Sequence, residues 1–333
     1  MICIFSNSLD FSTTEVIRWL LHMGLDVLRV NDDDASPRHT IEFTVELETL
    51  SFQVDGRVVH LNDIEAVWYR KGKHWLCNQF HKVSFSEHPH FSSYVAKKLS
   101  AEELRLSQFL HFMIENNVKT LGSAMRPDLN KLLVLHAASR VGLLVPQFCI
   151  SNSKKWLMSF ARRRSCVTKA ISDGFYLFET GVSNTGYYSY TEVVDAAMLN
   201  ELSDRPSPSL LQEQILKQFD VRVFFLEGRC YAMAIFSQSD DQTKVDFRRY
   251  NERKANRGVP FNLPPDVEDK LARLFSALDL RTGSADFVCD QAGRFIFLEI
   301  NPVGQFGMVS EPCNYFLERQ VALTLTQYAT ENR

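Results

Sequence analysis

Residues 283–288 (GSADFV) and 294–301 (RFIFLEIN) flank a short loop that contains a glycine, and together they predict a β-hairpin. Side chains alternate along a strand, so antiparallel pairing about this loop is expected to place Asp286, Glu299 and Asn301 on one face. The other side chains expected on that face are apolar: Val288, Phe295 and Phe297. The hairpin would therefore carry an oxygen-rich cluster on an otherwise apolar face.

Such a cluster costs several kcal/mol to bury unless a cation or hydrogen bonds compensate it. Carboxylate and amide oxygens are hard ligands that suit Mg²⁺, which completes its shell with water and phosphate oxygens. We therefore predict a magnesium site at Asp286, Glu299 and Asn301. The alternative is a pair of strand-end acids that point to solvent, which the Asn301-Pro302-Val303-Gly304 ending disfavours.

The composition is that of a soluble protein, with 45% hydrophobic and 23% charged residues and a formal net charge of −3. This charge argues against a general nucleic-acid-binding protein. The seven cysteines are scattered without a CxxC pair, as expected in the reducing cytoplasm. No signal peptide and no apolar run of membrane-spanning length is found, so a cytoplasmic location without a membrane partner is expected.

The chain of 333 residues is long enough for several domains, and its pattern predicts three. Residues 1–120 are expected to form an α/β domain, because a strand, a helix starting near Ser12 and a second strand make a β-α-β opening. Alternating strands follow, with Asp55 and Gly56 as a hairpin turn, and then a long helix.

Residues 121–205 are predicted to form a central domain, in which Asp128 caps a helix and a later strand carries Lys169. A hairpin is expected at residues 175–190. The proline-containing segment 203–209 marks the boundary to a C-terminal domain, residues 206–333. In that domain, strands at 210–215, 221–226 and 230–236 are expected to share one sheet, and the 283–301 hairpin follows.

Several strand positions that are apolar in an ordinary hydrophobic core are occupied by polar residues in this sequence. They are Lys169, Gln212, Glu213, Gln214, Asp220, Arg222, Asp246 and Arg248. Taken singly, each has a structural interpretation as an edge lysine, a strand end or a solvated basic pair. Their joint occurrence in this order makes those interpretations less favoured than a binding site.

The order and spacing resemble the ATP-grasp ligases over about residues 120–310. The matching segments are Asn130-Lys131 at a helix start and residues 167–169, 212–215, 220–222, 246–251, 284–286 and 297–301. Within that superfamily, residues 301–306 and 67–71 resemble the peptide maturases of graspetide (microviridin-type) pathways. The opening of the chain, with its acidic residues 31–34, is most similar to the maturase of grasp-with-spasm systems.

This resemblance implies the ATP-grasp fold, an α/β (α+β) architecture in which an N-terminal domain precedes two α+β subdomains that hold ATP between two sheets. It implies that ATP is bound by Lys131, Lys169, Glu213, Gln214 and Ile215. It implies that Asp286, Glu299 and Asn301 hold Mg²⁺, and that Arg222 and Arg248 stabilise an acyl phosphate. The further candidates for substrate contacts are Arg70, Asn251, Tyr187 and Tyr188. The chain departs from typical members after Lys169, where a longer segment replaces the compact glycine-rich loop, so no phosphate contact is assigned to that segment.

The implied reaction activates a Glu or Asp side chain of a precursor peptide as an acyl phosphate, which a Thr, Ser or Lys side chain then attacks to close an ester or amide macrocycle. The implied partners are the leader and core of a ribosomally made peptide, a second copy of the chain, and a radical-SAM SPASM protein of the same pathway. Two other functions stay open: a ligase that adds an amino acid to a protein or small-molecule carboxylate, and a non-catalytic nucleotide-binding scaffold.

Overall fold

The structure is a computed structural model of the chain. It describes residues 1–33, 40–44, 49–54, 56–71, 89–126, 128–172, 174, 176–179, 185–188, 190–249 and 255–332. For residues 40–44, 49, 89, 90, 176–179 and 185–188 only the backbone is described.

The strands, in chain order, are β1 (Ile2–Ser6), β2 (Val27–Asn31), β3 (Thr40–Thr44), β4 (Thr49–Val54), β5 (Arg57–His60), β6 (Ala66–Tyr69), β7 (Thr120–Leu121), β8 (Phe148–Ser151), β9 (Cys166–Thr168), β10 (Tyr176–Glu179), β11 (Thr185–Tyr188), β12 (Glu192–Val194), β13 (Ser209–Glu213), β14 (Lys217–Leu226), β15 (Arg229–Phe236), β16 (Arg257–Phe261), β17 (Thr282–Asp290) and β18 (Phe295–Asn301). The α-helices, in chain order, are α1 (Phe11–His22), α2 (Pro89–Asn117), α3 (Lys131–Arg140), α4 (Lys154–Ala161), α5 (Ala196–Glu201), α6 (Pro265–Ala277), α7 (Gly307–Cys313) and α8 (Leu317–Glu331).

The chain divides into two compact units. The first comprises Met1–Asp128 and Pro302–Arg333, and the second comprises Leu129–Asn301. The boundary near residue 128 falls close to the predicted end of the N-terminal domain at residue 120. The finer division into three domains stays a prediction.

The first unit contains a parallel sheet with the strand order β2-β1-β6-β7. Every residue of β1 is buried, because this strand pairs with β2 on one side and with β6 on the other. A separate antiparallel sheet, β3-β4-β5, turns at Gly56, where φ is +80°. Helix α8 packs against α1 and β6. The predicted β-α-β opening is thus confirmed.

The second unit contains two larger antiparallel sheets, with the orders β12-β9-β13-β8 and β16-β15-β14-β17-β18. Helices α3 and α6 supply residues to the apolar core that the second of these sheets helps to build. Strand β13 pairs with β8 and β9, so the prediction that it shares a sheet with β14 and β15 is wrong. The chain passes from one sheet to the other within the three residues after Glu213, a crossing that alternation alone does not reveal.

The start of α3 also differs from the prediction. The helix cap is Asn130, whose side chain accepts hydrogen bonds from the backbone amides of Leu132 and Leu133, whereas Asp128 lies further upstream. Asparagine in this position satisfies amides that the first helical turn leaves open. The helix ends before Gly142, where φ is +85°, as predicted.

In the hairpin of β17 and β18, Asp286 lies opposite Glu299 and Ser284 lies opposite Asn301, so Asp286, Glu299 and Asn301 share one face as predicted. A bulge at Leu298 shifts the register, so Phe287 lies opposite Phe297. One extra residue reverses the face of everything beyond it. Phe297 is therefore in the apolar core and Phe295 packs against that core, so placing these two rings on the face of Asp286 was wrong.

Candidate active site

A cavity in the second unit is lined by residues of both large antiparallel sheets. Its volume, including the part open to solvent, is ≈ 780 Å³. The predicted site residues that line it are Lys169, Glu213, Gln214, Ile215, Arg248, Asp286 and Glu299. Residues predicted from separate parts of the sequence therefore converge on one space.

Asp286 lies on β17 of the five-stranded sheet, opposite Glu299 of β18 on one side and Arg222 of β14 on the other. Arg222 Nη1 donates to both carboxylate oxygens of Asp286 at 2.8 Å. Burial raises the pKa of Asp286, although the positive charge of Arg222 opposes this shift. Arg222 Nε is buried and has no hydrogen-bond partner in the structure, so this guanidinium retains capacity for an acceptor.

Glu299 meets Lys169, which directly follows β9 in the other sheet. Lys169 Nζ lies 3.5 Å from Glu299 Oε2. Burial acts to raise the pKa of Glu299, but the positive charges of Lys169, Arg248, Lys131 and Arg222 outweigh it and lower the pKa. Glu299 is thus held as a carboxylate among cations.

Asn301 lies opposite Ser284, two positions beyond Glu299 on β18. Within the described parts of the chain, no three His, Cys, Asp or Glu side chains converge on a point that could hold a metal. A cation at this hairpin would have two carboxylates and the Asn301 amide oxygen as its protein ligands. That donor set fits Mg²⁺, which takes few protein ligands and keeps water or phosphate oxygens in the rest of its shell.

Arg248 is held in place by Asp246. Its Nε and Nη2 lie 2.8 Å and 2.7 Å from the two Asp246 oxygens, a bidentate pair. Asp246 also accepts from the backbone amide of Thr191 at 3.3 Å. The Arg248 side chain is 45% exposed, so the guanidinium is oriented at the cavity wall and open to a ligand.

Lys131 begins α3, and its Nζ donates to the backbone carbonyl of Ser172 at 2.8 Å. Ser172 belongs to the segment that follows Lys169. The first turn of α3 is thereby connected to this segment, and the charge of Lys131 acts on Glu299.

The end of β13 and the residues after it form a wall of the cavity with three of the predicted ATP-binding residues, Glu213, Gln214 and Ile215. The backbone amides of Glu213 and Gln214 donate to Gln147 O and Ser165 O, so both are engaged within the protein. The Glu213 carboxylate accepts from the backbone amide of Gln147 at 3.3 Å. Glu213 is therefore held by Gln147, the residue before β8. Its neighbour Gln212, which belongs to the polar set singled out in the sequence but was given no role there, also lines the cavity.

A second group missed from the sequence is a buried ion pair at the start of β14. Lys217 Nζ donates to both oxygens of Asp220 at 2.7 Å and 2.8 Å, and Ser237 Oγ donates to Asp220 at 2.6 Å. Lys217 also donates to Val245 O at 3.4 Å. Burial raises the pKa of Asp220 despite the charge of Lys217. The pair lines the cavity and anchors the segment that carries Arg248. Asp220 is one of the polar strand residues that the sequence singles out, whereas its partner Lys217 is not, because a buried lysine has no sequence signal of its own.

The remaining predicted residues lie elsewhere or outside the description. Arg70 belongs to the first unit and is 2% exposed, with Nε donating to Asp10 at 3.0 Å and Nη1 donating to the carbonyls of Val303 and Gly304. These bonds give it a structural role. Tyr187 and Tyr188 are in β11, whose side chains are not described, and Asn251 is outside the described residues.

Comparison with solved structures identifies the fold. A RiPP-associated ATP-grasp ligase from Chryseobacterium gregarium, solved with ADP and with a leader and a core peptide, superimposes with a TM-score of 0.81, 23% identity and coverage of 100% of this chain and 97% of that one. The macrocyclase MdnC from Microcystis aeruginosa, bound with precursor peptide MdnA, superimposes with a TM-score of 0.78, 25% identity and coverage of 98% and 100%. The ATP-grasp ligase PsnB, complexed with a minimal precursor, Mg and ADP, gives 0.74, 17% identity and coverage of 98% and 97%.

No protein-family profile matches the sequence, and no curated protein matches it. None of the helices in the described part of the chain combines the length and the hydropathy needed to span a bilayer. The fold class and the resemblance predicted from the sequence are confirmed by the solved structures. The chain therefore has the ATP-grasp ligase fold, in the form that the RiPP-associated ligases and macrocyclases share.

Proposed function

We propose that the protein is an ATP-dependent peptide macrocyclase, which joins a Glu or Asp side chain of a precursor peptide to a Thr, Ser or Lys side chain of the same peptide. The observation that carries this proposal is the convergence of Asp286 and Glu299 with Lys169 and Arg248 on one cavity of the second unit. Two acids surrounded by cations suit a metal together with a polyphosphate better than either alone.

In this proposal the cavity binds ATP. Lys169 and Lys131 supply positive charge to the phosphates, in a site where partial burial makes that charge more effective than on the surface. Since the amides of Glu213 and Gln214 are engaged, the backbone group assigned to the base is the amide of Ile215. Asp286, Glu299 and Asn301 hold Mg²⁺, which supplies charge neutralisation to the β- and γ-phosphates when bound.

The reaction has two steps. A peptide carboxylate oxygen attacks the γ-phosphorus, the bond from that phosphorus to the β,γ-bridging oxygen breaks, and ADP leaves. The hydroxyl oxygen or amine nitrogen of the second side chain then attacks the acyl carbon. The acyl carbon–oxygen bond breaks, inorganic phosphate leaves, and the nucleophile loses its proton. Arg222 and Arg248 stabilise the acyl phosphate, because a guanidinium forms paired hydrogen bonds with carboxylate and phosphate oxygens.

The substrate is the core of a ribosomally made peptide, recognised through its leader. Support comes from the structures that share the fold, which were solved with leader, core or precursor peptides. We further propose a homodimer, a cytoplasmic location and a radical-SAM SPASM protein in the same pathway, all of which rest on the family resemblance.

The test is to incubate the purified protein with ATP, Mg²⁺ and the short peptide encoded beside its gene, and to follow peptide mass. A macrocyclase removes the mass of one water for each ring, because each ring closes by condensation. A mass increase matching an added amino acid would instead establish the ligase alternative. Tight ATP binding without any change in peptide mass or ADP release would establish the scaffold alternative.

A further inference from the structure

We propose that Arg249 is a positioning residue, which places its neighbour Arg248 by joining the turn that carries both residues to the strand pair that leads to Lys169. This inference rests on the proposed function, since it takes Arg248 to stabilise the acyl phosphate. The sequence pattern gives a role to Arg248 and none to Arg249, because an adjacent basic pair is usually a solvated surface.

The first observation is the way in which the turn fixes Arg248. The backbone amide of Arg249 donates to the carbonyl of Asp246 at 3.0 Å, and the backbone amide of Arg248 donates to Asp246 Oδ1 at 3.1 Å. The guanidinium of Arg248 binds both carboxylate oxygens of Asp246 as well. Backbone and side chain of Arg248 are thus fixed relative to Asp246, so whatever holds this turn determines where the guanidinium lies.

The second observation is a set of contacts between this turn and the start of β12, which belongs to the other large sheet. Arg249 Nη2 lies 2.5 Å from Glu192 Oε1. The Arg249 guanidinium lies over the ring of Tyr190, with its carbon 5.0 Å from the ring centroid. The backbone amide of Thr191 donates to Asp246 Oδ2 at 3.3 Å. These contacts form a bridge between the β15–β16 connection and the four-stranded sheet.

The third observation is where the bridge ends. Glu192 lies opposite Thr168 in the pairing of β12 with β9, and Lys169 directly follows Thr168. Lys169 and Arg248 both line the cavity, whereas Glu192 and Arg249 are not among the described residues that line it. The bridge therefore connects two cations of the site from outside the cavity wall, and Arg249 acts through Arg248.

The chemistry of the bridge requires an arginine. The side chains of Arg249 and Glu192 are 33% and 55% exposed, and an exposed ion pair by itself contributes little to stability. A planar guanidinium can pair with a carboxylate and lie over an aromatic ring at the same time, which an ammonium group does less well. The bridge should therefore affect the placement of Arg248 and hence the rate, while the fold depends on it little.

The experiment compares the turnover number, from loss of peptide mass at saturating ATP and peptide, with the Kd for ATP. Arg249→Met and Glu192→Gln should each lower the turnover number by about 10-fold, because a misplaced catalytic group loses rate steeply. The Kd for ATP should stay within about 2-fold of the wild-type value, since Lys131 and Lys169 are unchanged. The double variant should also lose about 10-fold, and not the about 100-fold of two independent effects, because both changes break the same contact.

Two further variants separate the bridge from a general effect of charge. Arg249→Lys keeps the positive charge but loses the planar group, so it should lower the turnover number by only about 3-fold. Arg18→Met breaks the exposed pair with Glu15 on α1 and is the matched control, which should keep the wild-type turnover number. Urea unfolding midpoints should be the same in all of these variants.

Hydrogen exchange of residues 237–249 without nucleotide gives a readout that does not need activity, and it should become about 5-fold faster in Arg249→Met. A turnover number of Arg249→Met within about 2-fold of the wild-type value would overturn the inference, and so would a double variant that shows the product of the two single effects. If the wild-type protein neither releases ADP nor changes peptide mass, the proposed function fails instead. Unchanged hydrogen exchange in Arg249→Met would overturn the inference in that case as well.

Discussion

Lys169 Nζ lies 3.5 Å from Glu299 Oε2, although the two residues come from different sheets. Two further pairs of a cation with a carboxylate are formed by Arg222 with Asp286 and by Arg248 with Asp246. Three of the cations proposed to meet phosphate, Lys169, Arg222 and Arg248, are thus paired with carboxylates, two of which are proposed to meet the metal. A complex of Mg²⁺ with a nucleotide could replace both halves of these pairs together, so that neither a cation nor a carboxylate is left uncompensated.

The first prediction tests the metal assignment. Glu299→Gln should lower turnover by at least about 100-fold, because it removes a charge at the metal while keeping the shape of the side chain. ADP release and loss of peptide mass at saturating ATP measure the effect, and circular dichroism checks that the fold is retained.

Glu201→Gln makes the same chemical change at an exposed position of α5 and should leave turnover unchanged. Wild-type turnover in Glu299→Gln at ordinary Mg²⁺ concentration would refute the role of Glu299 as a ligand.

The second prediction concerns the pair of Arg222 and Asp286. Arg222→Met should lower the free energy of unfolding by about 3–5 kcal/mol, because it leaves a carboxylate buried without its cation. Added Mg²⁺ should restore more stability to this variant than to the wild-type protein, since a bound cation takes the place of the lost charge. Urea unfolding with and without Mg²⁺ measures both effects.

Arg222→Lys keeps the positive charge and should lose much less stability than Arg222→Met. If Mg²⁺ stabilises Arg222→Met no more than it stabilises the wild-type protein, Asp286 does not face the metal.

Much of the hairpin could be predicted from the sequence, because alternation and a turn together determine which residues share a face. The pairing of Asp286 with Glu299 followed from these rules. The bulge at Leu298 did not, since an apolar residue suits either face. Gln212 is among the polar strand residues that the sequence singles out, but the lack of a partner for its buried Oε1 becomes visible only in the three-dimensional structure.

Two short elements escaped prediction because their sequences carry opposing signals. Helix α7 contains Pro312, which normally argues against a helix. Strand β16 contains Gly258 and Pro260, and proline is tolerated there because β16 is the edge of its sheet. The sheet membership of β13 likewise depends on long-range pairing that local patterns do not contain.

The third prediction links the core to the metal-binding strand. A Cβ at Gly283 would lie 2.9 Å from Phe275 Cε1 and 3.0 Å from the backbone oxygen of Asn301. Gly283→Ala should therefore cost about 1–3 kcal/mol of unfolding free energy and raise the Mg²⁺ concentration needed for half-maximal turnover, because β18 must shift.

Gly258→Ala is the control, since its Cβ would meet Met233 Sδ at 2.7 Å, on a flexible side chain that can move aside. If Gly283→Ala leaves both the unfolding free energy and the Mg²⁺ requirement unchanged, β18 can be displaced without disturbing the metal ligands, and the prediction is wrong.

The fourth prediction concerns pH and the first unit, where Asp10 and Arg70 form a buried pair with exposures of 5% and 2%. Burial acts to raise the pKa of Asp10, but the charge of Arg70, the Thr13 hydroxyl and the charge of Lys71 outweigh it and lower the pKa below 3.8. Because the pKa in the folded state is below that in the unfolded state, the carboxylate contributes its full stabilisation above pH 3.8. That contribution is lost as the pH falls through the lower, folded value.

Asp10→Asn should accordingly cost about 3 kcal/mol of unfolding free energy near neutral pH, because Arg70 stays buried without its partner. The difference from the wild-type protein should shrink only below pH 3.8. Asp26→Asn breaks the exposed pair with Arg57 and should cost less than about 1 kcal/mol. Urea unfolding across the acidic range distinguishes the two variants. If the difference in unfolding free energy between Asp10→Asn and the wild-type protein stays constant down to the most acidic pH, Asp10 is not the group whose ionised form Arg70 needs.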